Sequence, residues 1–171
     1  MTPTIGTEKP TVQDPIIKYA DEIDWKVVPK EEALSLRKGE SGSLFYRVLE
    51  EKLLELNEGL VNRENVEDII HRMEAVRNNI EGNAEILSWL RGEQAIYDEN
   101  EKRRRNVTVV DFTCAGRNLF QVTEEWQHTN GRVTNRADIM FLINGIPVAI
   151  VETKSAKKAN GMEEALIQFR R

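Results

Sequence analysis

Apolar side chains change their spacing near Glu93, from a helical repeat to a strand-like alternation. Before that point they recur every three or four residues, which predicts amphipathic helices, and after it they alternate with polar residues, which predicts strands. Helices are predicted over residues 14–24, 30–34, 43–57, 66–76 and 83–91, with a short strand over 25–28. Strands are predicted over 107–112, 118–126, 137–143 and 146–154, and a helix over 162–171.

This order of elements predicts an α+β protein whose N-terminal part is mostly helical. Residues 1–12 are polar and contain two prolines, so we expect a flexible tail there. A length of 171 residues suits a single domain, which we place over residues 13–171.

Charged residues stand at the end of the most apolar predicted strand. Residues 146–151 are apolar at every position, which is typical of a central strand covered on both sides. Glu152 and Lys154 follow this strand and share a face, because side chains at i and i+2 point the same way. Asp138 stands on the preceding strand. Removing such charges from water costs several kcal/mol per ion unless something compensates them.

The residues alone leave two interpretations of this set open. In the first, Asp138 and Glu152 hold Mg²⁺, which prefers one or two carboxylates together with waters and substrate phosphate. The backbone carbonyl of Thr153 lies next to them, and Lys154 would position or deprotonate a metal-bound water. In the second, an acid and Lys154 form a buried ion pair that only fixes the sheet.

The turn between the strands predicted over 137–143 and 146–154 bears on this choice. A two-residue type I′ turn at Asn144 and Gly145 would pair Asp138 with Val151 and point Asp138 away from Glu152, which is incompatible with a shared metal unless a bulge intervenes. A three-residue loop over 143–145 would place Asp138 diagonal to Glu152 on one face. We therefore expect the three-residue loop, or a bulge of equal effect, with a positive φ at Gly145.

Charge and composition exclude several classes of protein. The net charge of −5 argues against a strongly basic nucleic-acid footprint. The run Lys102, Arg103, Arg104 and Arg105 is either a patch that contacts phosphates or a solvated connection. One cysteine and two histidines exclude a disulfide framework and a zinc site rich in these residues. With no signal peptide and no long apolar run, we expect a cytoplasmic location.

The Asp138, Glu152 and Lys154 set resembles the PD-(D/E)xK nuclease fold, with Ala137 where proline is frequent. More specifically, the chain resembles the N-terminal nuclease domain of restriction (R) subunits of type I restriction-modification enzymes. The resemblance covers most of the chain from about Thr11 and is strongest from Val107. Its motifs are NLFQV at 118–122, RAD at 136–138, NGIP at 144–147 and VETK at 151–154.

The resemblance implies a mixed central sheet with helices on both sides and a Mg²⁺-dependent endodeoxyribonuclease activity. Asp138, Glu152 and the Thr153 carbonyl would bind the metal, and Lys154 would orient or activate the water. Gln168 matches the first position of a Gln-x-x-x-Tyr element, whose tyrosine would fall after the last residue. Gln13 stands where many members of the fold carry a glutamate that supports the metal.

The resemblance also implies partners, namely DNA and the modification and specificity subunits. ATP would serve only the full-length subunit, because this chain lacks a G-x-x-x-x-G-K-S/T loop and is too short for a motor. We therefore expect a fragment that ends within or just after the helix following Lys154. The alternative is a non-catalytic docking fragment that joins the R subunit to its motor and modification subunits. A response to metal would distinguish the two.

Overall fold

Helices dominate residues 14–90 and strands residues 95–151, as the change in spacing predicts. The computed structural model describes residues 9–77, 79–130, 133–154, 160, 162–163 and 166–167. The helices are α1 (Asp14–Glu22), α2 (Lys30–Leu36), α3 (Tyr46–Leu56), α4 (Val66–Glu74) and α5 (Ile80–Leu90). The strands are β1 (Lys26–Val27), β2 (Ala95–Asp98), β3 (Arg103–Asn106), β4 (Phe120–Asn130), β5 (Val133–Ile143) and β6 (Ile146–Val151).

The two ends of the chain are described only in part. Most of the predicted tail, residues 1–8, lies outside the described residues, whereas Lys9–Gln13 forms a π-helical turn that leads into α1. Met162, Glu163, Leu166 and Ile167 are helical, which agrees with the last predicted helix. Gln168 lies outside the described residues.

The strands form one four-stranded sheet and one two-stranded sheet. The larger has the order β1–β4–β5–β6 and is mixed, because β1 is parallel to β4 while a tight turn makes β6 antiparallel to β5. The smaller pairs β2 with β3 in antiparallel fashion. The predicted α+β class with a mixed sheet is therefore confirmed.

The described residues fall into two compact units, each with its own apolar core. The first contains the chain up to Gly42, Phe120–Leu142 and the chain from Pro147. In it, Ala20 of α1 packs against the buried side chains of Val122 and Ile139. Helix α2 also lies beside β4, and Ala33 and Thr123 line one small pocket.

The second unit contains Ser43–Leu119 and Ile143–Ile146. Its core is built by the apolar stripes of α3 and α4, on which Leu53 and Ile69 are each 1% exposed. Trp89 of α5 completes this core. The 3.6-residue spacing that predicts these helices is thus also the spacing that fills the core.

The strand predicted over 107–112 is wrong. Val107 and Val109 are buried in the core but lie in irregular backbone after β3. Side chains there satisfy backbone groups that a strand would pair: Asn57 accepts a hydrogen bond from the Thr108 amide at 2.7 Å and donates one to the Thr108 carbonyl at 2.8 Å. Alternating apolar residues therefore report burial here and not strand pairing.

The three-residue loop predicted over 143–145, between β5 and β6, is also wrong. Strand β5 ends at Ile143 and β6 begins at Ile146, and both turn residues have positive φ, 52° at Asn144 and 82° at Gly145. This is the type I′ pattern. The Asn144 side chain holds the turn, because its Oδ1 accepts from the Leu119 amide at 2.7 Å. Only the positive φ at Gly145 is confirmed.

Strand β6 differs from its prediction in length and in position. It ends at Val151, three residues earlier than predicted, and it is an edge strand among the residues that the structure describes. Val148 is 39% exposed and Ile150 is 49% exposed. The expectation of a central strand covered on both sides is therefore wrong for the described part of the chain.

Candidate active site

Asp138 is a buried carboxylate on β5 that is held through one of its two oxygens. It is 4% exposed. Its Oδ2 accepts hydrogen bonds from the backbone amide of Thr153 at 2.8 Å and from the Thr153 hydroxyl at 2.9 Å. Its Oδ1 accepts no hydrogen bond from the described residues, and the Arg136 Nη2 atom lies 4.0 Å away. Within the described part of the chain, Oδ1 thus faces the Arg136 guanidinium and accepts no hydrogen bond.

Glu152 and Lys154 lie just beyond the end of β6 and form an ion pair through Glu152 Oε1 and Lys154 Nζ. The Glu152 side chain is 4% exposed and that of Lys154 is 18% exposed. This contact is the one that the structural interpretation predicts. It also places a cation directly beside a candidate metal ligand.

The hydrogen bond to Asp138 brings the backbone of Glu152 close to that carboxylate. The donating amide is the one that joins Glu152 to Thr153. Standard bond lengths therefore place the Glu152 Cα atom within about 5 Å of Asp138 Oδ2. A continued strand after a two-residue turn would point Glu152 to the other face, but β6 ends before Glu152. The strand rule that side chains point to alternate faces therefore does not apply to Glu152.

These donors fit a hard divalent cation. Among the described residues, no three acidic, histidine or cysteine side chains come together as a metal-binding group. Mg²⁺ does not need three, because it typically takes one or two carboxylates and completes its shell with waters and phosphate. Asp138 Oδ1 and Glu152 would supply those two carboxylates.

Gln13 lies at this site but contacts Thr153. Its side chain is buried, and its Nε2 donates to the Thr153 hydroxyl at 3.0 Å. Sequence reasoning placed Gln13 at the site and considered only the carbonyl of Thr153, so it missed the hydroxyl. The available signal was a hydroxyl side chain between Glu152 and Lys154.

The sequence matches the family model of the type I restriction enzyme R protein N terminus over residues 6–171. The chain belongs to this family. Two relatives from Methanocaldococcus jannaschii are similar over about half of the chain. The putative type I restriction enzyme MjaIXP endonuclease subunit is 35% identical over 51% of this chain, and the MjaVIIP endonuclease subunit is 31% identical over 47%. The matched regions are 9% and 7% of these two relatives.

In the basic run of this R-protein N-terminal chain, Arg103, Arg104 and Arg105 lie on β3 in the second unit, and Lys102 lies in the turn before it. Arg103 forms an ion pair with Glu101 at 2.5 Å, and Arg105 Nη1 lies 2.8 Å from Asp98 Oδ2. The hydrogen bond from Arg105, with help from backbone amides, lowers the pKa of Asp98. Arg104 donates to the Ala95 carbonyl at 2.9 Å. Acidic neighbours thus balance two of the four charges.

A transmembrane segment was not expected from the sequence of this R-protein N terminus. Within the described ranges, every helix is too short or too polar to cross a bilayer.

Proposed function

We propose that this chain is the Mg²⁺-dependent endodeoxyribonuclease domain of a type I restriction enzyme R subunit, and that it hydrolyses DNA phosphodiester bonds. Membership of the R-protein family and the endonuclease names of its relatives support the class of enzyme. One contact carries the proposal for the site, the hydrogen bond from the Glu152–Thr153 amide to Asp138. It joins β5, which bears Asp138, to the backbone just after β6, which bears Glu152.

Each residue of the site has a distinct role in this proposal. Asp138 Oδ1, Glu152 and the Thr153 carbonyl would hold Mg²⁺, which lowers the pKa of a bound water and neutralises charge on the phosphate. Lys154 orients or activates the attacking water and stabilises the negative charge that builds up on the phosphate. Gln168 supports the site or contacts DNA.

The partners in this function are DNA and the other subunits of a restriction complex, and the location is the cytoplasm. DNA is the substrate, and Lys102 with Arg103, Arg104 and Arg105 contacts its phosphates. The modification and specificity subunits are the protein partners, so sequence recognition lies outside this chain. ATP serves the motor of a full-length subunit. The single cysteine, exposed as Cys114, suits a reducing cytoplasm.

One observation favours a second candidate function, a docking segment without catalysis. The apolar side chains of Val148 and Ile150 are exposed on the edge strand β6. Exposed apolar patches mark interaction surfaces, and the relatives are more than ten times longer than the regions matched here. The remainder of an R subunit would be the occupant of this edge.

Substitution of Lys154 distinguishes catalysis from docking. In the full-length subunit, Lys154→Ala should abolish Mg²⁺-dependent DNA cleavage. The attacking water and the phosphate would both lose the ammonium group of Lys154. ATP hydrolysis should stay nearly unchanged, because the motor is a separate domain. Both rates are measured on the same preparation, with cleavage followed by conversion of circular DNA to linear DNA.

The control is Lys18→Ala on α1, where the lysine side chain is 75% exposed. This variant should cleave DNA like the unmodified subunit. Equal loss of cleavage and ATP hydrolysis in Lys154→Ala would instead indicate a structural lysine, and cleavage that persists in a metal chelator would refute the metal mechanism.

A further inference from the structure

We propose that the Thr153 hydroxyl and the Gln13 amide are positioning residues that fix the orientation of the Asp138 carboxylate, so that Oδ1 is presented to the divalent cation. The inference rests on the proposed function for the identity of that cation. The orientation itself rests on a chain of hydrogen bonds from Gln13 through Thr153 to Asp138.

The direction of the hydrogen bonds follows from the donors available. A threonine hydroxyl has one proton to donate, and a carboxylate only accepts. Gln13 Nε2 donates to Thr153 Oγ1, so the hydroxyl proton is left for Asp138 Oδ2. The amide of Gln13 thereby sets the direction of the Thr153 hydroxyl, through its hydrogen bond to Thr153 and not through one to Asp138. A glutamate at position 13 would compete for the same proton.

The two bonds from Thr153 end on the same carboxylate oxygen. The backbone amide and the hydroxyl reach Asp138 Oδ2 from a single residue, so together they fix its rotation about χ2. Hydrogen bonds to a charged acceptor are stronger than neutral ones. The rotation that they fix leaves Oδ1 without a hydrogen bond from the described residues. Metal ligands in proteins are commonly oriented by such outer partners.

All three side chains are buried, which makes the orientation costly to lose. Gln13 is 7% exposed, Thr153 is 3% exposed and Asp138 is 4% exposed. Water therefore cannot readily replace a deleted donor. Gln13 belongs to the π-helical turn before α1, so the start of α1 is tied to the residue between Glu152 and Lys154, 140 positions later.

A metal-free comparison tests the orientation directly. Crystal structures of the 171-residue chain would be determined for the unmodified protein, Thr153→Val, Thr153→Ser and Gln13→Leu. We expect Asp138 to rotate in Thr153→Val and Gln13→Leu and to keep its orientation in Thr153→Ser, which retains the hydroxyl. Thr123→Val is the matched control, because Thr123 is fully buried and its hydroxyl has no hydrogen-bond partner among the described residues. An unchanged Asp138 in both test variants overturns the proposal.

Calorimetric titration with Mn²⁺ then tests the consequence for metal. Loss of an outer partner typically weakens metal binding by about 10–100-fold, and we expect at least about tenfold in Thr153→Val with recovery in Thr153→Ser. Equal affinity in Thr153→Val and the unmodified chain would overturn the link to the cation. Absence of Mn²⁺ binding by the unmodified chain would refute the proposed function, whereas the metal-free structures would still decide the positioning roles.

Discussion

Arg37 shows how a buried charge is accommodated at a single position. Its side chain is 2% exposed, its guanidinium carbon lies 3.9 Å from the centroid of the Trp126 ring, and its Nη1 donates to the Gln127 carbonyl at 2.9 Å. Burial lowers the pKa of Arg37, and the charge of Glu40 acts in the opposite direction. A planar guanidinium can stack and donate at once, which an ammonium cannot.

Substitution of Arg37 should destabilise the first unit. We expect Arg37→Ala to lower the free energy of unfolding by about 2–4 kcal/mol, because packing and the cation–π contact are lost together. Arg37→Lys should not restore stability. Urea unfolding followed by tryptophan fluorescence measures both. Arg47→Ala is the control, with a side chain that is 81% exposed and an expected change within about 0.5 kcal/mol. Equal stability of Arg37→Ala and Arg47→Ala would contradict this account.

The sequence could identify the acids of the site but not the contacts that orient them. Glu152 follows an apolar segment and Asp138 precedes another, over residues 139–143, and both positions are visible in the sequence. The bond between Gln13 and Thr153 joins residues 140 positions apart. Neither residue type signals such a partner locally, so the contact becomes visible only once α1 packs on the sheet.

Among the elements, helices were easier to predict than strands. Helices α1, α3 and α4 follow directly from an apolar stripe, because the residues that make the helix also fill the core. The β2–β3 ribbon was missed, since its strand Arg103–Asn106 is polar and mostly exposed. Pairing there comes from backbone hydrogen bonds and charged side chains, and hydrophobic alternation does not report either.

The type I′ turn between β5 and β6 gives a prediction about one glycine. Gly145 has φ +82°, and an added Cβ would lie 2.7 Å from the Phe45 carbonyl oxygen. The Phe45 amide also donates to the Gly145 carbonyl at 2.8 Å, so the backbone cannot easily move away. We expect Gly145→Ala to lower the free energy of unfolding by about 2 kcal/mol or more, from left-handed strain and the clash.

Thermal unfolding of Gly145→Ala and Gly116→Ala provides the matched comparison. Gly116 has no atom within 4 Å of an added Cβ and no positive φ. Its alanine variant should therefore unfold close to the unmodified chain. Similar melting temperatures for the two variants would mean that the turn tolerates a side chain, contrary to the geometry described above.

For the whole molecule, the class of fold was predictable and the extent of the sheet was not. The order of helical and strand-like segments is sufficient for an α+β protein with a mixed sheet. Strand β6 is apolar on both faces but lies at the edge of the sheet formed by the described residues. An apolar composition shows that a strand can be buried on both sides. Which elements cover the strand depends on tertiary and quaternary structure. The exposure of the β6 side chains could therefore not be predicted from the hydrophobic pattern of the sequence.

The central claim is that Asp138 and Glu152 bind one divalent cation, and a crystal structure of the chain soaked in Mn²⁺ tests it most directly. We predict an anomalous scattering peak with one oxygen of each carboxylate at about 2.0–2.2 Å, and with Asp138 contributing Oδ1 while Oδ2 keeps both bonds from Thr153. An empty position between ordered and accessible carboxylates at saturating Mn²⁺, with the Glu152–Lys154 ion pair intact, would contradict the account and favour a structural role for these residues.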